Sequence, residues 1–302
     1  MLAQLRQTEF ACYGVVDILR GPKFHPQCAA ASGLMGEYPR RTFLKLAAGG
    51  VTATWGIAIN RICRASGSWV DRRSYGPFQC VAQFSMQELD GLFAELSTLE
   101  QEIQRTLGLP PASQPIEVFL LADEASHRKF LAESFPRAPY RRALFVQRRG
   151  RGAVYAYRHD ELAIDLRHEC THALLHANLP TMPLWLDEGV AEYFEMPEKG
   201  RAFDHPHLAT LRWNLRLGMS RSLESLEAER ELSGMGGVEY RFSWAWVHFM
   251  LHGPAAAHRA LVEYLADVRR GENPGALSTS LRTAVPGLDS RMAEHFLRWE
   301  RA

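Results

Sequence analysis

From about Trp69 the spacing of apolar residues becomes that of a folded chain. FQCVAQF (78–84) reads as a strand. Leu89, Leu92, Phe93, Leu96, Leu99, Ile103 and Leu107 then fall on one helical face at the 3.6-residue period, and Gly108 and Pro110 end it. The continuous apolar run IEVFLL (116–121) predicts a buried strand. DEASHRKFLAESF (123–135) opens on acidic residues and carries Phe130, Leu131 and Phe135, which predicts a second helix. ALFVQ and AVYAY flank the turn RRGRG, the pattern of a β-hairpin with a glycine-rich tip. That basic tip precedes a strand rather than a helix, so it reads as a solvated turn and not as a phosphate cradle. Leu162, Leu166, Cys170, Leu174 and Ala177 mark the core stripe of the next helix, which ends near Asn178–Pro180; Pro183 suits the first turn of another. Beyond Pro197 the patterns are helical: HLATLRWNLRLG, EYRFSWAWVHFMLHG, HRALVEYLADVRRG and MAEHFLRW, with a break at SGMGG (233–237).

Composition removes some classes of function. The 302 residues carry a net charge of +1, which gives no electrostatic reason to expect nucleic acid or an anionic membrane surface as a partner. The five cysteines, Cys12, Cys28, Cys63, Cys80 and Cys170, contain no CxxC pair, so neither a disulfide framework nor a thiolate zinc site is expected.

Ahead of the globular part, PRRTFLKLAAGGVTATWGIAI starts at Pro39 and pairs Arg40 with Arg41 before Phe43-Leu44-Lys45 and a mildly apolar run. It resembles a twin-arginine export signal, with Pro39 where Ser or Thr is usual. The run Leu46–Ile59 is short and glycine-interrupted for a membrane span. Met35 stands where such a signal would begin. Residues 1–34 are therefore expected to be an over-extended start or a disordered leader, and 35–67 the signal, with Ala65-Ser66-Gly67 as an acceptable cleavage site. The resemblance implies a periplasmic or extracellular protein, held at the membrane only if the signal stays uncleaved. Cys63 lacks the small preceding residue of a lipid-attachment site, and Cys80 and Cys170 alone would remain after cleavage.

RHECTHALLHANLPTMPLWLDEGVAEYFE (167–195) concentrates polar side chains among Leu, Trp and Val. His168, Glu169 and His172 form HExxH, whose histidines sit one helical turn apart on one face and can reach one ion. Glu169 projects beside that ion, where it could take a proton from water. A catalytic zinc wants a third protein ligand and one open position. Fifteen residues after His172 leave room for a returning helix that brings Glu188, and Glu192 one turn further on. Glu188 is expected to bind the metal, and Glu192 to hydrogen-bond the far nitrogen of a ligating histidine, most simply His168. His176 lies too far along a straight helix to share an ion with His168; at the helix C-terminus its partial positive charge is favoured. The alternative is a solvated face of two packed helices. Against it, Glu188 and Glu192 are embedded among Trp185, Leu186, Val190, Tyr193 and Phe194, and carboxylates in such company usually have a specific partner.

HExxH followed by WLDEGVAEYFE is similar to the gluzincin metallopeptidases, in which a Glu from a second helix completes the zinc site. Together with YRFSWAWVHFML, these segments resemble a family of zinc peptidases of unknown substrate within that clan. The likeness covers most of 78–255 and is strongest in 167–195. A metzincin would need Gly and His at fixed places after His172, and ALLHANLP lacks them. The gap to Glu188 is shorter than in the aminopeptidase-like members, so substrate preference does not transfer. The resemblance implies an α+β, zincin-like fold: a small mixed sheet packed on the HExxH helix, followed by a mainly helical C-terminal region. The corresponding division is a catalytic domain over 69–198 and a helical subdomain over 199–302. It further implies one Zn2+ and hydrolysis of peptide bonds in a peptide or protein substrate, with AVYAY (153–157) the natural edge strand to hold it.

Tyr240, and less readily His248, are the side chains expected to steady a developing oxyanion, since a downstream helix often closes such clefts in this clan. Tyr240, Trp244, Val247 and Leu251 equally follow the spacing of a core face. Two rival functions share parts of this pattern. A zinc hydrolase of a non-peptide bond would use the same ligands, whereas a non-catalytic binding module would be expected to have lost a ligand or Glu169.

Overall fold

The computed structural model describes residues 68–136, 138, 140–148 and 150–300. The expected leader and export signal, 1–67, lie outside the described residues. Five strands, β1 (Asp71–Tyr75), β2 (Phe78–Ala82), β3 (Ile116–Leu121), β4 (Ala143–Arg148) and β5 (Arg151–Tyr157), form one mixed sheet in the order β1-β2-β3-β5-β4. The pairs β1/β2 and β4/β5 are antiparallel, while β2, β3 and β5 run parallel. Helix α1 (Asp90–Leu107) makes the crossover from β2 to β3 and ends on Gly108 at φ 67°, a conformation that glycine adopts without Cβ strain. Helix α2 (Glu124–Ser134) follows β3; the side chain of Asp123 caps it by accepting the Ser126 N–H at 2.8 Å.

The side chains of the sheet alternate between two apolar layers. Phe78, Cys80, Val118, Leu120, Val154, Ala156 and Phe145 join the face that packs on α1 and the motif helix. Phe119, Leu121, Leu144, Tyr155 and Tyr157 turn the other way, onto Phe130, Leu131 and Phe135 of the α2 segment. Strand β1, DRRSY, carries no aliphatic residue and escapes the apolar pattern. It is an edge strand fixed from outside: the Tyr75 ring stacks on Phe93 at 4.6 Å, and Asp71 accepts the Met86 N–H at 2.8 Å.

One expectation is corrected here. AVYAY is not an edge strand; it is the C-terminal part of β5, which lies between β3 and β4, and β4 is the outer strand. Alternation along a hairpin specifies its pairing but not which arm also pairs with β3. The parallel register Val118↔Val154 claims β5 for the interior.

The remaining helices are α3 (Leu162–His176), α4 (Leu184–Phe194), α5 (His207–Arg216), α6 (Leu223–Ala228), α7 (Gly237–His252), α8 (Ala255–Arg269), α9 (Leu277–Ala284) and α10 (Leu288–Arg298). Helix α3 lies under the sheet against β4 and β5, and α4 packs between α3 and α7. Every residue of α4 from Trp185 to Phe194 is buried, the carboxylates Asp187, Glu188 and Glu192 included. A methyl group on Gly189 would sit 2.6 Å from the Ser243 carbonyl oxygen, so only glycine permits this approach of α4 to α7. One contiguous apolar core runs from Phe78 to Phe296. The architecture is thus α+β, a small mixed sheet on the motif helix followed by a mainly helical C-terminal region, as the sequence led us to expect. Among the described residues no helix is long and apolar enough to cross a membrane.

Candidate metal centre

Helix α3 carries the two motif histidines and α4 crosses it with Glu188. The Nε2 atoms of His168 and His172 lie 3.3 Å apart, and Glu188 Oε2 lies 3.6 Å from the first and 3.8 Å from the second. A tetrahedral zinc with ligand bonds near 2.0–2.1 Å has ligand–ligand edges of about 3.4 Å, so the triangle is of the size such an ion requires. All three side chains are buried, Glu188 completely.

The far nitrogens of both rings are held by carboxylates. His168 Nδ1 donates to Glu195 Oε2 at 3.0 Å, and His172 Nδ1 donates to Asp187 Oδ1 at 2.8 Å. A carboxylate on Nδ1 assigns the ring proton to that atom and leaves a lone pair on Nε2. Two lone pairs and a carboxylate oxygen therefore face one another inside the protein. Both Glu188 oxygens are buried with no hydrogen-bond partner among the described residues. Burial pushes the Glu188 carboxyl up, against the opposing pull of His168 and His172. An uncompensated arrangement of this kind costs several kcal/mol per buried ion, and a cation at its centre removes the cost. The donor set of two imidazoles and one carboxylate fits a zinc ion with an open fourth position.

Asp187 serves two rings. Its Oδ2 also accepts from His176 Nε2 at 2.8 Å, with the His176 ring near the β4 side chain Phe145 at 5.9 Å between centroids. Burial alone would raise the Asp187 carboxyl, but His172 and His176 outweigh it and hold it well below the usual carboxylate range. Glu195 behaves alike: burial opposes ionisation, and the hydrogen bond from His168, with the His205 ring 3.7 Å away, holds it low.

Glu192 does not take the place expected of it. Its oxygen comes within 4.8 Å of a ring nitrogen of His168, but Glu195 holds Nδ1 at hydrogen-bond distance, and Glu192 Oε2 accepts from His207 Nε2 at 3.1 Å. His205 lies beside it, stacked flat on Trp244 and donating from Nε2 to the Glu192 carbonyl at 3.1 Å. Residues 188, 192 and 195 share one face of α4 and its C-cap, so the helical period admits either glutamate; the crossing of α3 and α4 selects Glu195. Asp187, and its pairing with His176, were not anticipated for a related reason. Their signals, adjacency to Glu188 and an i+4 step from His172, are visible only once the two helices are placed together.

Glu169 is buried beside His168, and its Oε2 accepts the backbone N–H of Phe145 on β4 at 2.7 Å. The motif carboxylate thus touches the outer strand of the sheet. Tyr240 is buried in the first turn of α7, one turn before the Ser243 carbonyl that abuts Gly189. His248 is engaged elsewhere: Nε2 donates to the Ala202 carbonyl at 2.9 Å, Nδ1 faces His295 at 3.1 Å, and burial pushes the ring down to about 2. It ties α7 to α10 and is not an oxyanion donor.

No protein-family model matches the chain, and no curated protein matches it. Among solved structures it is similar to an M1 zinc metallopeptidase from Deinococcus radiodurans and to a mutant of that protein. The identities are 17% and 19%, with TM-scores of 0.41 and 0.42. Each comparison covers 78% of this chain and 52% of the other, so the chain spans about half the length of those proteins.

Proposed function

We propose that the chain is a zinc-dependent metallopeptidase, exported through the signal that its paired arginines resemble. The observation that carries this reading is the wholly buried Glu188, whose oxygens have no hydrogen-bond partner among the described residues and face two imidazole Nε2 atoms whose protons are fixed on the opposite side of each ring. His168, His172 and Glu188 would hold one Zn2+, which supplies Lewis acidity at a scissile carbonyl and eases deprotonation of water. Glu169 takes the proton of the attacking water and passes it to the leaving amine. Asp187 and Glu195 keep both imidazoles in the tautomer that presents a lone pair to the metal.

The outer edge of β4 supports a peptide as substrate. An extended chain can add to an exposed strand edge through main-chain hydrogen bonds, and the Phe145 N–H on Glu169 puts that edge one hydrogen bond from the base. Tyr240, on the helix packed against α4, is the side chain we assign to the developing oxyanion. Digestion of a mixed peptide library by the zinc-loaded chain, read by mass spectrometry, tests the reading. Cleavage that a chelator stops and zinc restores is the expected result. Intact peptides under all conditions, from protein that holds its zinc, would remove the peptidase assignment.

A further inference from the structure

The β4/β5 hairpin concentrates positive charge. Residues 136–158 hold seven arginines and no Asp, Glu, Lys or His, in a chain whose 35 cations and 34 acids otherwise nearly cancel. Two of the seven are neutralised by neighbours: Arg142 meets Glu161 and Asp165 where α3 begins, and Arg158 meets Glu88 at 2.6 Å. Arg151 is exposed and acts electrostatically on the half-buried Glu117 of β3. Arg148 is exposed and has no ion-pair partner among the described residues; its guanidinium lies over the Phe135 ring, 4.8 Å from the centroid. Arg148 and Arg151 stand opposite each other in the hairpin register, so both project to one face of the sheet, the side of α2.

Strand β4 is the outer strand, and among the described residues no backbone hydrogen bond joins its outer edge to another segment. Charges that keep a sheet edge from pairing sit along the strand itself. Here 143–146 are uncharged, and the arginines stand at the two ends, Arg141 and Arg142 before the strand and Arg148 at its close. Such an edge can take an extended chain through its main chain and choose among chains by charge at the rim. Phe145 sets the scale. Its N–H holds Glu169 at 2.7 Å, and Arg148 lies three residues on, about 10 Å along the strand. On an added strand, the residue directly across from Arg148 turns its side chain to the face that Arg148 and Arg151 share.

We infer that the outer edge of β4 selects acidic peptides: an extended chain pairs with this edge and sets an Asp or Glu side chain against Arg148 and Arg151, about three residues from the bond held beside Glu169. The inference deepens the peptidase reading and rests on it for the place of the bond. The recognition itself is binding, and it is measured without turnover.

The probes are short labelled peptides of one apolar frame that carry paired Glu, Gln or Lys near one end. Their binding to the full-length, zinc-loaded Glu169→Gln chain is read by fluorescence anisotropy. The Glu peptide should bind roughly three- to ten-fold more tightly than the Gln peptide, and the Lys peptide more weakly than either. The advantage should shrink in high salt, because the arginines are exposed. Arg148→Glu with Arg151→Glu should reverse the order. Arg148→Gln alone, a milder change at the hairpin, should remove most of the preference if the double variant folds poorly. Equal binding of the three peptides, or an unchanged order in both variants, overturns the inference. So does a short DNA duplex that displaces the Glu peptide at lower concentration than unlabelled Glu peptide, since the cations would then serve nucleic acid. Digestion of a mixed peptide library by the native chain separates this claim from the one beneath it. Acidic preference in binding without any hydrolysis would keep this surface and remove the peptidase reading; hydrolysis with no acidic preference in binding or cleavage would do the reverse.

Discussion

The carboxylate of Asp187 meets Nδ1 of His172 at 2.8 Å, and through its other oxygen it also holds His176 at 2.8 Å. One side chain of α4 thereby fixes two rings of α3. Asp187→Asn keeps the size but replaces one acceptor oxygen by a donor, so one ring loses its partner. Zinc affinity should fall roughly 10–100-fold, as it does when a ligating histidine loses its hydrogen-bonded carboxylate. Competition against a chromogenic chelator measures this; an unaltered affinity would reduce Asp187 to a packing role.

Glu195 and Glu192 make a matched pair for the other histidine. Glu195→Gln removes the charged acceptor on His168 Nδ1 and should weaken zinc by a similar factor of about 10–100. Glu192→Gln leaves that contact in place and disturbs only the bond to His207, so its effect on affinity should be much smaller. A larger loss for Glu192→Gln than for Glu195→Gln would reverse the assignment.

These two carboxylates show where sequence reading stops. The convergence of His168, His172 and Glu188 was legible because each helix obeys its own period and a short connection returns the second helix beside the first. The partner of a ring nitrogen depends instead on how α3 and α4 cross, which no spacing within one helix encodes. The sheet divides in the same way. Apolar runs revealed β2, β3 and the β4/β5 hairpin, but β1 is polar and held by Tyr75 and Asp71, and the placement of β5 inside β4 is a matter of pairing. The short helices α6 and α9 bury only two or three side chains each, too few to make a period.

His127 of α2 gives the fold an acid limit. The ring is fully buried, with Tyr140 and Tyr157 against it and His159, Arg128 and Glu124 nearby, and burial holds it down at about 4 from an ordinary 6.5. Between those values the unfolded chain binds the proton and the folded chain does not, so stability falls as pH drops below 6.5. The loss from this group between pH 7 and 5 is about 2 kcal/mol. His127→Phe should flatten that part of the profile, as read by urea midpoints at the two pH values; an equal slope in both proteins would assign the acid limit to other groups.

Glu169→Gln isolates the base from the metal site. The amide oxygen can still accept the Phe145 N–H, so fold and zinc content should persist, while the group can no longer take a proton from water. Peptide hydrolysis should fall by about 10²–10⁴-fold. Turnover near that of the native chain would exclude Glu169 as the base.

Metal analysis tests the account most directly, because the proposed hydrolysis depends on His168, His172 and Glu188 holding one ion. The purified chain should contain close to one equivalent of zinc per molecule. His168→Ala, His172→Ala and Glu188→Ala should each abolish it after dialysis while keeping the native circular dichroism, since two remaining protein ligands hold zinc weakly. Full zinc content in any of the three variants, or a native chain that takes up no zinc, would contradict the account.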